Sequence, residues 1–473
     1  MMNRFRSAVY ILLTVFFFNC LPVEAGQIAP SPGQPEISPS DTEKAGGEEG
    51  LTLSKAVEFA LQNNPRVKAA HSGREVVEAQ LREAQGGRWP LLQFNETFTR
   101  SNNPVFVFGS LLEQGRFGPQ NFDIGSLNNP EPLNNFRTAL NLRWPIFDQL
   151  QSYTRIAQAR IGQELADFQK ELVKQQIHFD VVRSYYGVLV AQERMEVAEE
   201  AVKMAESDRR RIADLFQSGL VVQSDLLSAE VQVAEFRQHR VQAEGDRVTA
   251  YAFLNTVLGL PVQTPQKITG RLAEKHFGVP ESEDLIGQAL KKRPDYGRAA
   301  SAVRSTEEGI LGAKGSYLPR VDVFSSYGIN GRDLSSGSSN YAVGAGLTYD
   351  LFDFSRAGRL DKARAAKSLA SAEQEDLASQ IRLEVIQAYQ QYVTARERLK
   401  VAGQTVAQAE EALRIVQDRY REGLTTITEV LRSETTFVRT RLNLLAARYD
   451  CYVGFARVLA ASGRLTDIQP FVS

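Results

Sequence analysis

Histidine and cysteine are the sparsest of the residue types that do chemistry. The 473-residue chain has four histidines, His71, His178, His239 and His276, and two cysteines, Cys20 and Cys451. No two histidines share the short spacing that sets metal ligands side by side, and no cysteine pair exists, so neither a zinc site nor a nucleophile–base dyad is spelled out. Beyond the N-terminus the only methionines are Met195 and Met204, too few for a relay of soft metal ions. Gly344-Ala345-Gly346 falls in an alternating stretch without the helix that a phosphate-binding loop must open, which makes it a packing feature. The expectation is a protein that is not an enzyme, with no cofactor and no metal.

The charges exclude a second class. Lys and Arg number 55 against 56 Asp and Glu, a net charge of −1, which leaves no basic excess for nucleic acid. The long apolar run, Ala8 to Phe18, is short of the ~20 residues of a membrane-spanning helix. With Arg4 and Arg6 before it and Val23-Glu24-Ala25 after it, it reads as a signal peptide over 1–25, directing export. Cys20 follows Phe17-Phe18-Asn19 rather than a small residue, so cleavage after Ala25 is favoured over lipidation, leaving Cys451 as the lone mature cysteine. With no disulfide available, stability must come from packing or assembly. Residues 26–50, with Pro30, Pro32, Pro35 and Pro39, form a flexible leader.

The rest of the chain is written twice. Ala60-Leu61 through Pro65 matches Ala289-Leu290 through Pro294 at a spacing of 229, as do Gly86 with Gly315 and Pro90 with Pro319. Farther on the spacing is 204, pairing Gly219-Leu220 with Gly423-Leu424, Glu230 with Glu434 and Gly259 with Gly463. The lost 25 residues are an insertion in the first copy, within Asn102 to Asn135, whose Asn, Pro, Gly and Phe content reads as a long loop. The copies span 51–259 and 284–463, joined by a connector over 260–283 and followed by a tail over 464–473.

Each copy changes period partway. After the Gly-X-X-X-Pro motif the pattern alternates: Leu92, Phe94 and Phe98, then Phe136 to Trp144, in the first copy; Val321 to Ile329, then Tyr341 to Leu351, in the second. Four strands of ~10 residues, apolar on one face, suit a transmembrane β-barrel, and Trp89, Trp144 and Tyr349 at strand ends suit an interfacial aromatic belt. Two stretches follow, Gln151 to Phe216 and Ser355 to Tyr420, free of proline and ~100 Å long as helices. A heptad of Val385, Tyr392, Leu399, Val406, Leu413 and Tyr420, shadowed by alanines three residues on, predicts a left-handed coil. Paired apolar residues in the return helices, such as Val430-Leu431 and Val458-Leu459, place neighbours on both sides, as in a sheet of helices or a closed cylinder. Four strands cannot close a barrel; a dimer of eight or a trimer of twelve would. A structural coiled-coil protein of the envelope, without channel activity, is the alternative reading.

The duplicated tips, Phe216-Gln217-Ser218-Gly219-Leu220 with Asp225 and Glu230, and Tyr420-Arg421-Glu422-Gly423-Leu424 with Glu429 and Glu434, resemble those of the TolC family of outer-membrane efflux proteins. The resemblance covers Leu51 to Gly463. It implies a homotrimer in the cell outer membrane: a twelve-strand β-barrel in lipid, continued by an α-helical barrel across the periplasm. It also implies a passive duct for tripartite efflux or type I secretion, joined by a periplasmic adaptor to an inner-membrane pump. Gly219, Leu220, Gly423 and Leu424 match the family's adaptor-contact tips; Asp225, Tyr420 and Glu429 match its periplasmic gate. Thr425 and Arg432 depart from the family pattern, and a Glu429–Arg432 pair is the expected substitute for its latch.

Overall fold

The computed structural model describes residues 50–275, 277–465 and 471; the expected signal peptide, all but the last residue of the leader, His276 and most of the tail lie outside the described residues. The first copy supplies α1 (Leu53–Asn63), α2 (Pro65–Gly86), β1 (Leu91–Ser101), α3 (Pro104–Glu113), a 3-10 turn at Pro119–Phe122, α4 (Ile124–Asn128), β2 (Leu133–Asp148), α5 (Gln151–Gln217) and α6 (Gln223–Leu258). The second supplies α7 (Ser282–Lys292), α8 (Pro294–Gly315), β3 (Arg320–Asp333), β4 (Ser336–Thr348), α9 (Ser355–Arg421) and α10 (Ile427–Ala461).

The long helices α5 and α9 hold 67 residues each, and the heptad decides what they bury. Val385, Tyr392, Leu399 and Leu413 of α9 are buried, as are Val181, Val188 and Val202 of α5. The two helices are not equivalent. α5 is the centre of the protomer, packed against α6, α10, α2 and α8, whereas α9 packs on α10, α8 and α7. The outer faces of α9 and α6 therefore stay open, exposing Leu383, Val401 and Ile415 on one and Val231, Val241 and Val248 on the other.

The connector is more than a spacer. Leu51 bridges to Ile268 as a parallel pair, and Leu272 and Phe277 are buried. The hydroxyls of Tyr185, Tyr392 and Tyr452 donate to the carbonyls of Thr269, Phe277 and Ala273 at 2.5, 2.7 and 3.0 Å. These bonds strap the connector around the mid-length of the long helices. Phe277 stacks on Phe455 at 4.2 Å, adding aromatic contact to the strap.

The strands form one antiparallel sheet in the order β1-β2-β3-β4. Register puts Leu92 opposite Leu142, Phe94 opposite Leu140 and Phe98 opposite Phe136, then Leu140 opposite Tyr327 and Tyr327 opposite Tyr341. One face is thus apolar, and the period of two puts Asn95, Asn135, Arg137, Asn141, Ser326, Asn330 and Asn340 on the other. Glu96 breaks the apolar face; its carboxylate accepts from Thr138 Oγ1 at 2.5 Å. The strands run 11 to 16 residues, longer than the ten expected, and β2 carries an irregularity between Pro145 and Phe147, where proline cannot donate to the ladder.

The expected loop from Asn102 to Asn135 is corrected: it contains α3, the 3-10 turn, α4 and the start of β2. Asn103 caps α3 by accepting from Val105 N and Phe106 N, with Pro104 in the first turn, a start signal that the composition of the segment masks. The Gly-X-X-X-Pro motif also acquires a reason. At Gly315 an added Cβ would lie 2.0 Å from the Gln149 carbonyl oxygen, where β2 passes into α5 through two left-handed residues, Gln149 and Leu150. At its repeat counterpart Gly86 an added Cβ would meet nothing within 4 Å among the described residues.

Candidate functional site

Each long helix ends in the same way. At the first tip Gly219 takes φ +74° and Leu220 N donates to Leu215 O at 2.9 Å; at the second Gly423 takes φ +73° and Leu424 N donates to Arg419 O at 2.8 Å. This six-to-one bond closes the helix, and the left-handed conformation is why glycine stands at both positions. The residue that follows is thrown outward: Leu220 is 72% and Leu424 65% exposed. Two apolar knobs thus stand at the ends of adjacent hairpins.

Behind the knobs the hairpins share a core. Ile212 of α5, Ala229 of α6 and Ile427, Val430 and Leu431 of α10 are buried together, with Val416 and Tyr420 of α9 against them. Gln232 of α6 donates to Thr435 Oγ1 of α10 at 2.9 Å. Tyr420 reaches this cluster with its hydroxyl buried and without a hydrogen-bond partner among the described residues. Burial raises its pKa above the usual 10, reinforced by Asp225 and Asp208 and opposed by Arg211. An open groove of about 420 Å³ runs between α6 and α10, lined among others by Leu227, Thr428, Leu431 and Arg432.

The acidic residues differ in setting. Asp225 and Glu429 lie in the first turns of α6 and α10, where the helix dipole favours a negative charge. Glu429 meets Arg432 at 3.8 Å, both well exposed. The expected pair therefore forms, yet it lies within one helix and ties α10 to nothing else; an exposed pair of this kind contributes little. Glu434, the counterpart of Glu230 in the duplicated tip motif, has a setting that the motif does not signal. Glu230 is exposed, whereas Glu434 is completely buried, facing Asp208, itself 7% exposed. Among the described residues neither oxygen of Glu434 has a donor at bonding geometry, and burial first, then Asp208, pushes its pKa far above the ordinary 4.5. Its position four residues after Val430 and three after Leu431, in the buried seam of α10, was the available signal.

At the other end of the molecule the expected aromatics gather where strands meet helices. Trp89 is exposed, and Trp144 donates from Nε1 to the Arg88 carbonyl at 3.0 Å. Arg356 lies over the rings of Tyr349 and Tyr317 at 5.5 and 5.6 Å. Tyr317, Phe352 and Phe354, all exposed, lie at the same junctions between strands and helices. No helix among the described residues is long and apolar enough to cross a membrane. Nor do three His, Cys, Asp or Glu side chains group there to hold a metal ion.

These two regions fall inside known patterns. The family model for the outer membrane efflux protein matches residues 56–260 and 285–464, which are the two copies without the connector. Protein CyaE of Bordetella pertussis is 24% identical over 94% of this chain and 90% of its own. The pyoverdine export outer membrane protein OpmQ of Pseudomonas putida is 25% identical over 58% of each. Among solved structures, the CmeC outer membrane channel of Campylobacter jejuni superposes with a TM-score of 0.76 at 18% identity, covering 87% of this chain and 85% of that one. That likeness extends to the fold.

Proposed function

The chain belongs to the outer membrane efflux protein family, and on that premise we propose that it is an exit duct: a homotrimer that passively conducts substrates across periplasm and outer membrane. The observation that carries the proposal is the sheet. A four-strand sheet with an apolar face and two free edges is unstable in lipid, where every backbone group must be paired. Three copies joined β4 to β1 give twelve strands with no edge. The four long helices of each protomer, α5, α6, α9 and α10, follow the same operation, which brings the open apolar face of α9 against that of a neighbour's α6. Gly86 supports it independently. Within the chain the glycine of the second copy receives the strand-to-helix junction of the first; a head-to-tail ring offers Gly86 the β4–α9 junction of the adjacent protomer, whose Phe352 and Phe354 are 86% and 94% exposed.

Such a wall needs no cofactor, since the driving force is supplied elsewhere. The matched knobs Leu220 and Leu424 and the groove between α6 and α10 present apolar surface at the periplasmic end, suited to the tip of a periplasmic adaptor that links the duct to an inner-membrane pump. The packing around Tyr420, with Asp225 and Glu429 at the helix starts and Arg432 beside them, is the part that must loosen for passage. Trp89, Trp144 and Tyr349 seat the barrel at the periplasmic lipid interface. The test is export in a deletion strain. The wild-type chain restores tolerance to a panel of toxic compounds, and Leu220→Asp with Leu424→Asp reaches the outer membrane without restoring it. An unchanged tolerance profile on deletion, or full rescue by the double variant, contradicts the reading.

A further inference from the structure

The insertion in the first copy lies at the hairpin end of the sheet, away from the helices, and its helix α3 does not project into solvent. Gln114, just past the C-terminus of α3, donates from Nε2 to Asn134 O and Asn135 Oδ1, both at 2.9 Å, and to Gly331 O at 3.4 Å. Asn135 in turn donates to Asn330 Oδ1 at 3.3 Å. Asn135 and Asn330 belong to the polar face of the sheet, opposite the face carrying Phe94, Leu140 and Tyr341. Gly115, at φ +68°, ends the helix where an added Cβ would lie 3.4 Å from Ser338 Cβ, again a polar-face position. The polar-face residues at this contact are buried: Asn330 is 0% and Asn135 6% exposed. α3 therefore lies on the side of the sheet that faces away from lipid.

Its own sides are divided. Val107, Ser110 and Gln114, at helical spacing, are buried toward the sheet, whereas Val105, Phe108 and Leu112, on the opposite side, are 81%, 38% and 52% exposed. Phe108 packs edge-to-face on Phe117 of the same insertion at 4.8 Å, and Val105 and Leu112 stand open on the side turned away from the sheet. The helix is capped at both ends, Asn103 at the start and an Arg116 N to Leu111 O bond of 2.9 Å at the finish, and the Gln114 bonds hold its C-terminal end to the sheet.

We propose that Val105, Phe108 and Leu112 of α3 meet the same residues of two further copies on the barrel axis and form an apolar collar across the outer mouth, a second constriction distinct from the periplasmic tips. The proposal rests on the trimeric reading. Twelve strands spaced ~4.8 Å apart and tilted ~40° enclose a radius of ~12 Å, and a helix with its side chains is ~10 Å across. Three helices lying on that wall leave no open centre, so each exposed face must be covered by the other two. A second copy of this chain is the occupant that the geometry supplies without any further partner. A ring of apolar side chains excludes hydrated ions by dewetting, so a resting duct with such a collar is sealed at both ends.

The test uses the full-length protein in detergent and in planar bilayers. Val105→Cys and Leu112→Cys, both at solvent-facing positions of the protomer, are oxidised with copper phenanthroline, with mass in solution measured by light scattering. The expected result is a trimeric mass with disulfide-linked dimers on denaturing gels. Conductance is then compared in a Tyr420→Ala background, where Val105→Ser, Phe108→Ser and Leu112→Ser together raise it at least several-fold. A trimer that neither cross-links at either position nor changes conductance overturns the collar and leaves the duct reading standing. A mass other than three chains overturns both.

Discussion

Glu434→Gln is the perturbation that reports most sharply on the tip packing. Glu434 of α10 is wholly buried, and the groups that face it are Asp208 and Arg211 from α5 and Gln417 from α9. Two ionised carboxylates can only accept hydrogen bonds, so Glu434 and Asp208 bond to each other only if a proton is held between them. Burial and Asp208 together lift the Glu434 pKa well above the ordinary 4.5. The sign follows from proton linkage. Above pH 4.5 the unfolded tip binds fewer protons than the packed one. Stability is therefore fully present below that pH and is lost as pH rises toward the folded pKa, by about 1.4 kcal/mol per pH unit. From there to pH 7 the loss amounts to about 3 kcal/mol per protomer.

Glutamine keeps the shape, brings a donor for Asp208 and removes the titration. Hydrogen exchange of the amides in residues 427–438, corrected for intrinsic rates, measures the local opening. In the wild type, protection is expected to fall by up to tenfold per pH unit between pH 5.5 and 7.5, whereas Glu434→Gln holds it level and exceeds the wild type at pH 7. Parallel pH profiles for the two proteins would refute the shared proton.

The two repeat-related glycines separate assembly from folding. Gly315→Ala drives a methyl into the Gln149 carbonyl and is expected to reduce folded yield, with a cost of about 2 kcal/mol or more, measured by thermal unfolding. Gly86→Leu, at a position open in the protomer, leaves secondary structure by circular dichroism intact and lowers the trimer fraction by light scattering. Because Trp89 and Trp144 are the only tryptophans, fluorescence quenching by lipids brominated near the headgroup reads the aromatic belt directly; strong quenching is expected, and quenching confined to mid-chain bromines contradicts the placement. In the collar-substituted background, Tyr420→Ala is expected to raise bilayer conductance more than Arg432→Ala, because Tyr420 joins four helices whereas the Arg432 ion pair with Glu429 lies within one helix.

The repeat register and the heptad were legible because both are periodic over many residues. Tyr392 shows the boundary of such reading: its burial follows from the seven-residue period, but its hydrogen bond to the Phe277 carbonyl depends on a connector more than a hundred residues away. The same holds at the tips. Gly219 and Gly423 announce their turns by residue type, whereas the difference between exposed Glu230 and buried Glu434 arises because α5 sits at the protomer centre and brings Asp208 against α10, which no pattern within α10 encodes. The helix α3 was hidden for a third reason. Its capping signals, Asn103-Pro104 and Gly115, are the same residue types that mark a loop, and only contact with the sheet distinguishes them.

The most direct test of the duct is a cryo-electron microscopy reconstruction of the purified full-length protein in lipid nanodiscs. Three-fold symmetry is expected, with β4 of each protomer paired with β1 of the next and one lumen continuous from a twelve-strand barrel into a tube of long helices. Any other symmetry, a sheet left open at its edges, or helices packed solid without a lumen would contradict it.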